Sequence, residues 1–430
     1  MDDGKTGKGF VKRHGKLLKG LLFTSLGIVI IMLIITLTIW VILPSFLTSE
    51  KTGVSPNKTI CFYANWAQYR KNEGRFLPEN IDPSLCTHIT YAHLKVDLNT
   101  HALVQRQPND DLLLAQIVAL KEVNPELKVI ISVGGWNHEK EPRFSNMVRN
   151  QTTRGIFIQS SISYILQHRL DGISIDWEYP THRGTSGPED KHRYTLLLRE
   201  FREAFTLQQL PFTLSASVSA GRRVISSAYE IPEIEQYVHW VNIMAYALHG
   251  AWEDETGHHT AMTGGLPNVP DSIEAWRELG MPDDKINVGV ATYGRTYKLL
   301  FKEEFDIGGP VLGAGNAGTY TKGAGILSYY EICALNWTHR TPYWESVAGK
   351  PYASDKDQWV GYETPESIAS EIRTLFSDRC YHGIAVWNLG YDDFNGTFCG
   401  QGKFPLLKSA VKTLHESRSC KVTQSNASVP

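Results

Sequence analysis

The feature that most restricts what this chain can become is a rhythm. From residue 60 onward, short apolar runs recur with amphipathic stretches between them. The runs fall at 60–65, 88–96, 128–133, 172–177, 212–218, 240–245, 286–291 and 383–387. Helical spacing of apolar residues marks stretches such as 112–123, 153–168, 193–207, 272–279 and 365–376. Strand and helix in alternation build a parallel sheet, because each helix carries the chain back to the end where the last strand began. Eight strands with intervening helices predict a closed (β/α)8 TIM barrel. An open doubly wound sheet is the alternative, but it needs a glycine-rich phosphate loop after an early strand, and none is present.

One connection is too long for that rhythm. Between residues 291 and 365 lie over seventy residues, rich in Gly, Tyr and Trp and without a strong helical period. A structureless loop of that size is unexpected inside a compact domain, so a small α+β insertion is predicted after the seventh strand, at about residues 292–362. It would stand beside the barrel mouth and deepen a groove there.

The N-terminus carries a different signal. Residues 21–43 form an uncharged, Ile- and Leu-rich run of 23 residues. At about 1.5 Å per residue it spans roughly 34 Å as a helix, enough to cross a hydrocarbon core. Lys5, Lys8, Lys12, Arg13, Lys16 and Lys19 precede it, whereas Glu50 and Lys51 cancel beyond it. The positive-inside rule then predicts a cytosolic basic tail (1–20), a single transmembrane anchor (21–43), a stalk (44–59) and an extracellular or lumenal domain (60–416), in type II orientation, with a loose tail at 417–430. A cleaved signal peptide is the rival reading, with a shorter apolar region and a small-residue cleavage site. All six cysteines follow the anchor, as do sequons at Asn57, Asn150, Asn336, Asn395 and Asn426, in keeping with an oxidising compartment. The net charge of −2 excludes a strong nucleic-acid field. No cofactor motif or metal-ligand spacing is present, and the adjacent His258 and His259 read as loop residues. Nothing in the sequence speaks to oligomeric state.

The chemistry is concentrated in residues 171–180, Asp-Gly-Ile-Ser-Ile-Asp-Trp-Glu-Tyr-Pro. Side chains alternate along a strand, so Ser174, Asp176 and Glu178 share one face while Ile173, Ile175 and Trp177 share the other. Two acids on a buried face are costly unless hydrogen-bonded or used, and an acid catalyst with a partner that controls its charge is the reading favoured over structural ion pairing. Other predicted strand ends carry Ser132-Val-Gly-Gly-Trp136, Met244-Ala-Tyr246 and Trp387-Asn388. Catalytic groups of such barrels sit at those ends.

The ordered motifs resemble glycoside hydrolase family 18, in its animal chitinase and chitinase-like lectin group. They run from Cys61-Phe-Tyr-Ala-Asn-Trp-Ala-Gln-Tyr69 and Phe76-Leu-Pro-Glu-Asn-Ile-Asp82 through Ser132–Trp136 and the 171–180 strand. Ser217-Val-Ser-Ala-Gly221, Tyr293-Gly-Arg295, Tyr329-Tyr-Glu-Ile-Cys333, Asp392-Asp-Phe394 and Phe398-Cys-Gly-Gln-Gly-Lys-Phe-Pro405 follow. The resemblance covers roughly residues 58–416. It implies that Glu178 is the general acid for β-1,4 bonds of N-acetylglucosamine polymers such as chitin. The substrate's own N-acetyl carbonyl would be the nucleophile, with retention through an oxazolinium ion. Asp176 would orient the acetamide, Tyr246 would hydrogen-bond it, and Trp387 would floor the reacting sugar. Trp66, Trp136, Met244, Tyr293 and Arg295 match groove positions. Disulfides Cys61–Cys86, Cys333–Cys399 and Cys380–Cys420 are implied in the same way.

Three residues depart from the family pattern. Ser174 stands where the family carries an inner Asp that shares charge with its neighbours. Ala247 follows Tyr246 where an Asp is usual, and the second strand reads Tyr91-Ala-His93 where Tyr-Ala-Phe is usual. One lost preorganised contact costs roughly 2–4 kcal/mol at a transition state. The expectation is therefore a chitinase of reduced activity, with a catalytically weak or inactive chitin-binding lectin as the alternative and a purely protein-binding ectodomain as a third reading.

Overall fold

The computed structural model describes residues 57–337 and 339–417. The predicted basic tail, anchor and most of the stalk lie outside the described residues, as do Cys420 and the C-terminal tail beyond Ser417. Among the described residues no helix is long and apolar enough to cross a membrane.

In chain order the strands are β1 Lys58–Ala64, β2 His88–Val96, β3 Leu103–Val104, β4 Lys128–Gly134, β5 Gly172–Asp176, β6 Thr213–Val218, β7 Trp240–Ile243 and β8 Ile286–Ala291. Then come β9 Tyr293–Leu299, β10 Val311–Ala314, β11 Ile326–Ser328, β12 His339–Thr341, β13 Tyr352–Asp355, β14 Gln358–Gly361 and β15 Gly383–Trp387. Strands β1, β2, β4, β5, β6, β7, β8 and β15 pair in parallel, and β1 bonds to both β15 and β2, so the sheet closes into an eight-stranded barrel. β3 is a short antiparallel partner of β2.

The alternation expected for residues 171–180 holds. Ile173, Ile175 and Trp177 face outward and are buried among the helices. Trp177 stacks on Phe144 with ring centroids 5.1 Å apart. Truncating so large a buried ring costs about 3–5 kcal/mol. The inward face is different. Besides Ile60, Phe62, Ala92, Ile130, Trp240 and Ala385, it carries Thr90, Ser132, Ser174, Ser215 and Asn242. Pairing register puts Ser132, Ser174 and Ser215 abreast on three neighbouring strands. A small, polar interior leaves room above it for a cavity.

Helices follow local signals. Gln151–Gln167 begins after Asn150, whose side chain accepts from the Thr153 N–H, and Val269–Glu278 begins after Asn268 in the same way with Pro270 in its first turn. Pro365–Leu375 is capped by Thr364. The stretch predicted as helix 112–123 begins earlier, at Asp110, and its α-helix ends at Ala119 before a tighter turn over Leu120–Glu122.

The long connection after β8 folds mainly as an antiparallel sheet in the order β10-β9-β14-β13-β12, with β11 on the other edge of β9 and one short helix, Tyr329–Cys333. A buried ion triad lies where this sheet meets the helix Pro365–Leu375. The Lys350 ammonium contacts Glu363 at 2.7 Å and also bonds Glu371, all three side chains being buried. His258 and His259 are loop residues after β7, but buried ones. His258 Nε2 faces the carbonyls of Pro351 and Tyr362 at 3.0 and 3.1 Å, so it is assigned the proton, and Nδ1 accepts from the Thr260 N–H.

Disulfides Cys61–Cys86 and Cys333–Cys399 are both formed. The Asp393 carboxylate prepares the second by accepting N–H bonds from Gly396, Thr397, Phe398 and Cys399. Cys380 is also disulfide-bonded.

Candidate active site

The C-terminal ends of the barrel strands surround a cavity of about 790 Å³. Its walls include Trp136, Asp176, Glu178, Met244, Tyr246, Tyr293, Arg295 and Trp387, so all the predicted site residues but one converge on it. The exception is Trp66. It is not at the cavity wall but packs against Trp387, with ring centroids 6.0 Å apart. Phe62, Tyr179, Ser217, Val224 and Trp252 also line the cavity. Tyr179 and Phe62 are adjacent to motifs already singled out. Trp252, largely exposed in the loop after β7, has no local pattern that would have marked it.

The Gly134-Gly135 pair is explained by close approach. Gly134 has φ +122°, and a Cβ there would meet the Asp176 carbonyl at 2.0 Å. A Cβ on Gly135 would come within 2.6 Å of His93 Nε2, while the Gly135 N–H donates to the Asp176 carbonyl at 2.8 Å. The two glycines thus let the end of β4 close directly onto the acid-bearing end of β5. Non-proline cis peptides occur on this same rim at Ala92–His93, Glu178–Tyr179 and Trp387–Asn388.

Electrostatics distinguish the two acids. Burial pushes the Glu178 carboxyl up to about 7, against the opposing charge of Arg183. Burial first, and the charge of Glu178 second, push Asp176 well above the usual carboxylate range. A carboxyl near 7 is suited to hold a proton and deliver it near neutrality. Burial also raises the Tyr246 phenol well above its ordinary value, which keeps it a neutral donor. Its ring meets Tyr293 edge-on at 6.2 Å. Arg295 lies beside the rings of Trp252 and Tyr293, at 5.4 and 5.7 Å from their centroids.

The departures also have places. Ser174 is fully buried below Asp176, and its Oγ has no hydrogen-bond partner among the described residues. Ala247 lines the cavity with φ +54°, a left-handed conformation in which Asp is several-fold enriched over most residues. His93 sits beside Asp176, its Nδ1 at 3.6 Å from Oδ2. A second cavity of about 680 Å³, near His249 and Glu253, contains none of the predicted site residues. Among the described residues no cluster of His, Cys, Asp and Glu could hold a metal ion.

Comparison with known proteins agrees with this geometry. Residues 58–392 match the family described as glycosyl hydrolases family 18. The chain is 34% identical to mouse (Mus musculus) chitotriosidase-1 over 374 residues, covering 84% of this chain and 79% of that protein. A group IV chitinase of Ostrinia furnacalis, solved with allosamidin, superposes with a TM-score of 0.80 at 33% identity, covering 84% of this chain and 99% of the other. Human YKL-39, described as a pseudo-chitinase with retained chitooligosaccharide binding, superposes with a TM-score of 0.77 at 32% identity, covering 83% and 99%. Relatives on both sides of the line between enzyme and lectin share the fold, and this chain belongs with them to glycosyl hydrolase family 18.

Proposed function

We propose that the chain is a retaining, substrate-assisted hydrolase of β-1,4-linked N-acetylglucosamine polymers, a chitinase-type enzyme of reduced turnover. The observation that carries this reading is the placement of Glu178, with a carboxyl that titrates at about 7, beside Asp176 on the wall of one cavity at the barrel rim. Protonated Glu178 gives its proton to the glycosidic oxygen as the bond breaks. The acetamide carbonyl of the substrate attacks the anomeric carbon, forming the oxazolinium ring, so no second enzyme carboxylate is needed as nucleophile. Asp176 accepts the acetamide N–H and stabilises the growing positive charge. Tyr246 donates to the acetamide carbonyl and Trp387 supports the sugar ring. Glu178, now ionised, takes a proton from the water that opens the ring.

The second reading is a chitooligosaccharide-binding lectin. It is favoured by Ser174 and Ala247, and by the binding retained in the pseudo-chitinase YKL-39. Incubation of the protein with a soluble chitin oligomer separates the two. Release of shorter oligomers, abolished by Glu178→Gln, is expected; binding without product after prolonged incubation would leave only the lectin. Attachment as a type II membrane protein through residues 21–43 belongs to the same proposal and rests on the sequence alone. It predicts that in sealed right-side-out vesicles protease digests the barrel and spares the N-terminal tail; an N-terminus digested with the barrel would exclude it.

A further inference from the structure

His93 is a histidine where the family pattern has phenylalanine, and it is buried beside Asp176, behind the cavity wall. Its Nδ1 lies 3.0 Å from Ser132 Oγ and 3.6 Å from Asp176 Oδ2. Both contacts use the same nitrogen, so this is not a Ser–His–Asp triad, which engages both ring nitrogens. It is a carboxyl–imidazole pair with a serine on the shared edge. The ring is held in place by its neighbours. Its centroid is 5.9 Å from that of Trp66 and 5.8 Å from that of Trp387, and those two are 6.0 Å from each other. Three aromatic rings therefore form a triangle with the imidazole edge turned to Asp176. Ser174, on the same strand face as Asp176, offers no hydrogen bond in place of the inner carboxylate usual in the family.

We propose that His93 is the proton-holding partner of Asp176, a positioning residue that takes over from the strand β2 side the task of the carboxylate missing at Ser174. The proposal rests on the hydrolase reading above. The titratable and charged groups facing the imidazole are Asp176 with Glu178 beyond it, Arg106 and His138. Burial, and then the charge of Arg106, pushes the imidazole down to about 3, while Asp176 is pushed up. Both shifts favour the neutral resting pair with the proton on Asp176, the cheaper state for a buried pair. A cation forming against Asp176 lowers that carboxyl's proton affinity. The O–H bond of Asp176 then breaks and the Nδ1–H bond of His93 forms. The electron pair stays on the carboxylate, which accepts the acetamide N–H. Opening of the oxazolinium ring by water reverses the transfer, so the pair returns unchanged and needs no co-reactant. The neighbouring indoles of Trp66 and Trp387 favour the transient imidazolium.

His93→Phe keeps an aromatic ring in the triangle and removes both nitrogens. With a soluble chitin oligomer, kcat is expected to fall about 100-fold while KM changes by less than about threefold. Ser174→Asp should raise the rate by a much larger factor in the His93→Phe background than in the wild-type protein. Wild-type turnover by His93→Phe, or an equal factor in both backgrounds, would overturn the proposal. If the wild-type protein binds oligomer and never cleaves it, the hydrolase reading fails by itself, and the pairing is then read from the ¹⁵N resonance of the His93 imidazole. Asp176→Asn should shift that Nδ1 signal; an unmoved signal overturns the pairing. The same measurement decides the matter if His93→Phe does not fold.

Discussion

The guanidinium carbon of Arg183 lies 3.5 Å from the centroid of the Trp136 indole, and its Nη1 donates to the Trp136 carbonyl at 2.8 Å. One cation thus pins an exposed cavity-wall aromatic and opposes the rise of the Glu178 carboxyl. Arg183→Met removes both effects. Oligosaccharide affinity should fall about fivefold, in line with roughly 1 kcal/mol for an exposed cation–π contact. The upper limb of the pH–rate profile should move to higher pH, because the proton on Glu178 is then held more tightly. A limb that stays or moves down would show that Arg183 does not act on this acid.

Glu178 must be protonated to act as an acid. Since burial raises its carboxyl to about 7, turnover should hold below that pH and fall about tenfold per unit above it. Glu178→Gln should lower kcat by about 10² to 10⁴ and leave oligomer binding in place. Steady-state rates across the pH range, with binding by calorimetry, check both statements.

Ala247→Asp should accelerate cleavage by about 30- to 1,000-fold, the scale of one regained polar contact at the transition state. The backbone already has the left-handed φ of +54° that Asp tolerates, so folding stability should change little. Kinetics with a chitin oligomer and a thermal melt together test this. An unchanged rate with intact binding would remove Ala247 as a reason for slow turnover.

None of the Lys350 triad lines the cavity, so its loss should be read in stability and not in chemistry. Lys350→Met leaves Glu363 and Glu371 buried without their cation and should cost about 3–5 kcal/mol, read as a lower denaturation midpoint. Burial raises the Glu371 carboxyl from 4.5 to about 7, with Lys350 opposing the rise. The folded state therefore binds more protons across that window, and this group's contribution to stability is present below it and lost as pH rises through it. Glu371→Gln should flatten the pH dependence of the midpoint between about pH 5 and 7.

Much of the fold was legible because its causes are local. β2, β8 and β15 lie where their apolar runs place them, since strands buried between helices and a barrel interior must be apolar along most of their length. Alternation alone put Ile173, Ile175 and Trp177 on one face and Ser174 and Asp176 on the other. The insertion announced itself only as an interruption. Its strand pairing, with β14 seated between β9 and β13, joins segments far apart in the chain, and no local signal carries that information.

The sequence by itself determined an eight-stranded α/β rhythm, an acid-bearing strand end, and the aromatic residues at neighbouring strand ends. It also named the three departures, at Ser174, Ala247 and His93. It could not say that one of them, His93, stands against Asp176. Only closure of the barrel brings the end of β2 beside the end of β5, with His93 Nδ1 3.6 Å from Asp176, and burial there, with the charges of Glu178 and Arg106, moves the proton affinities of the two groups in opposite directions. Side-chain direction is fixed by the chain's own stereochemistry. Proton affinity is fixed by whatever the fold packs around the group.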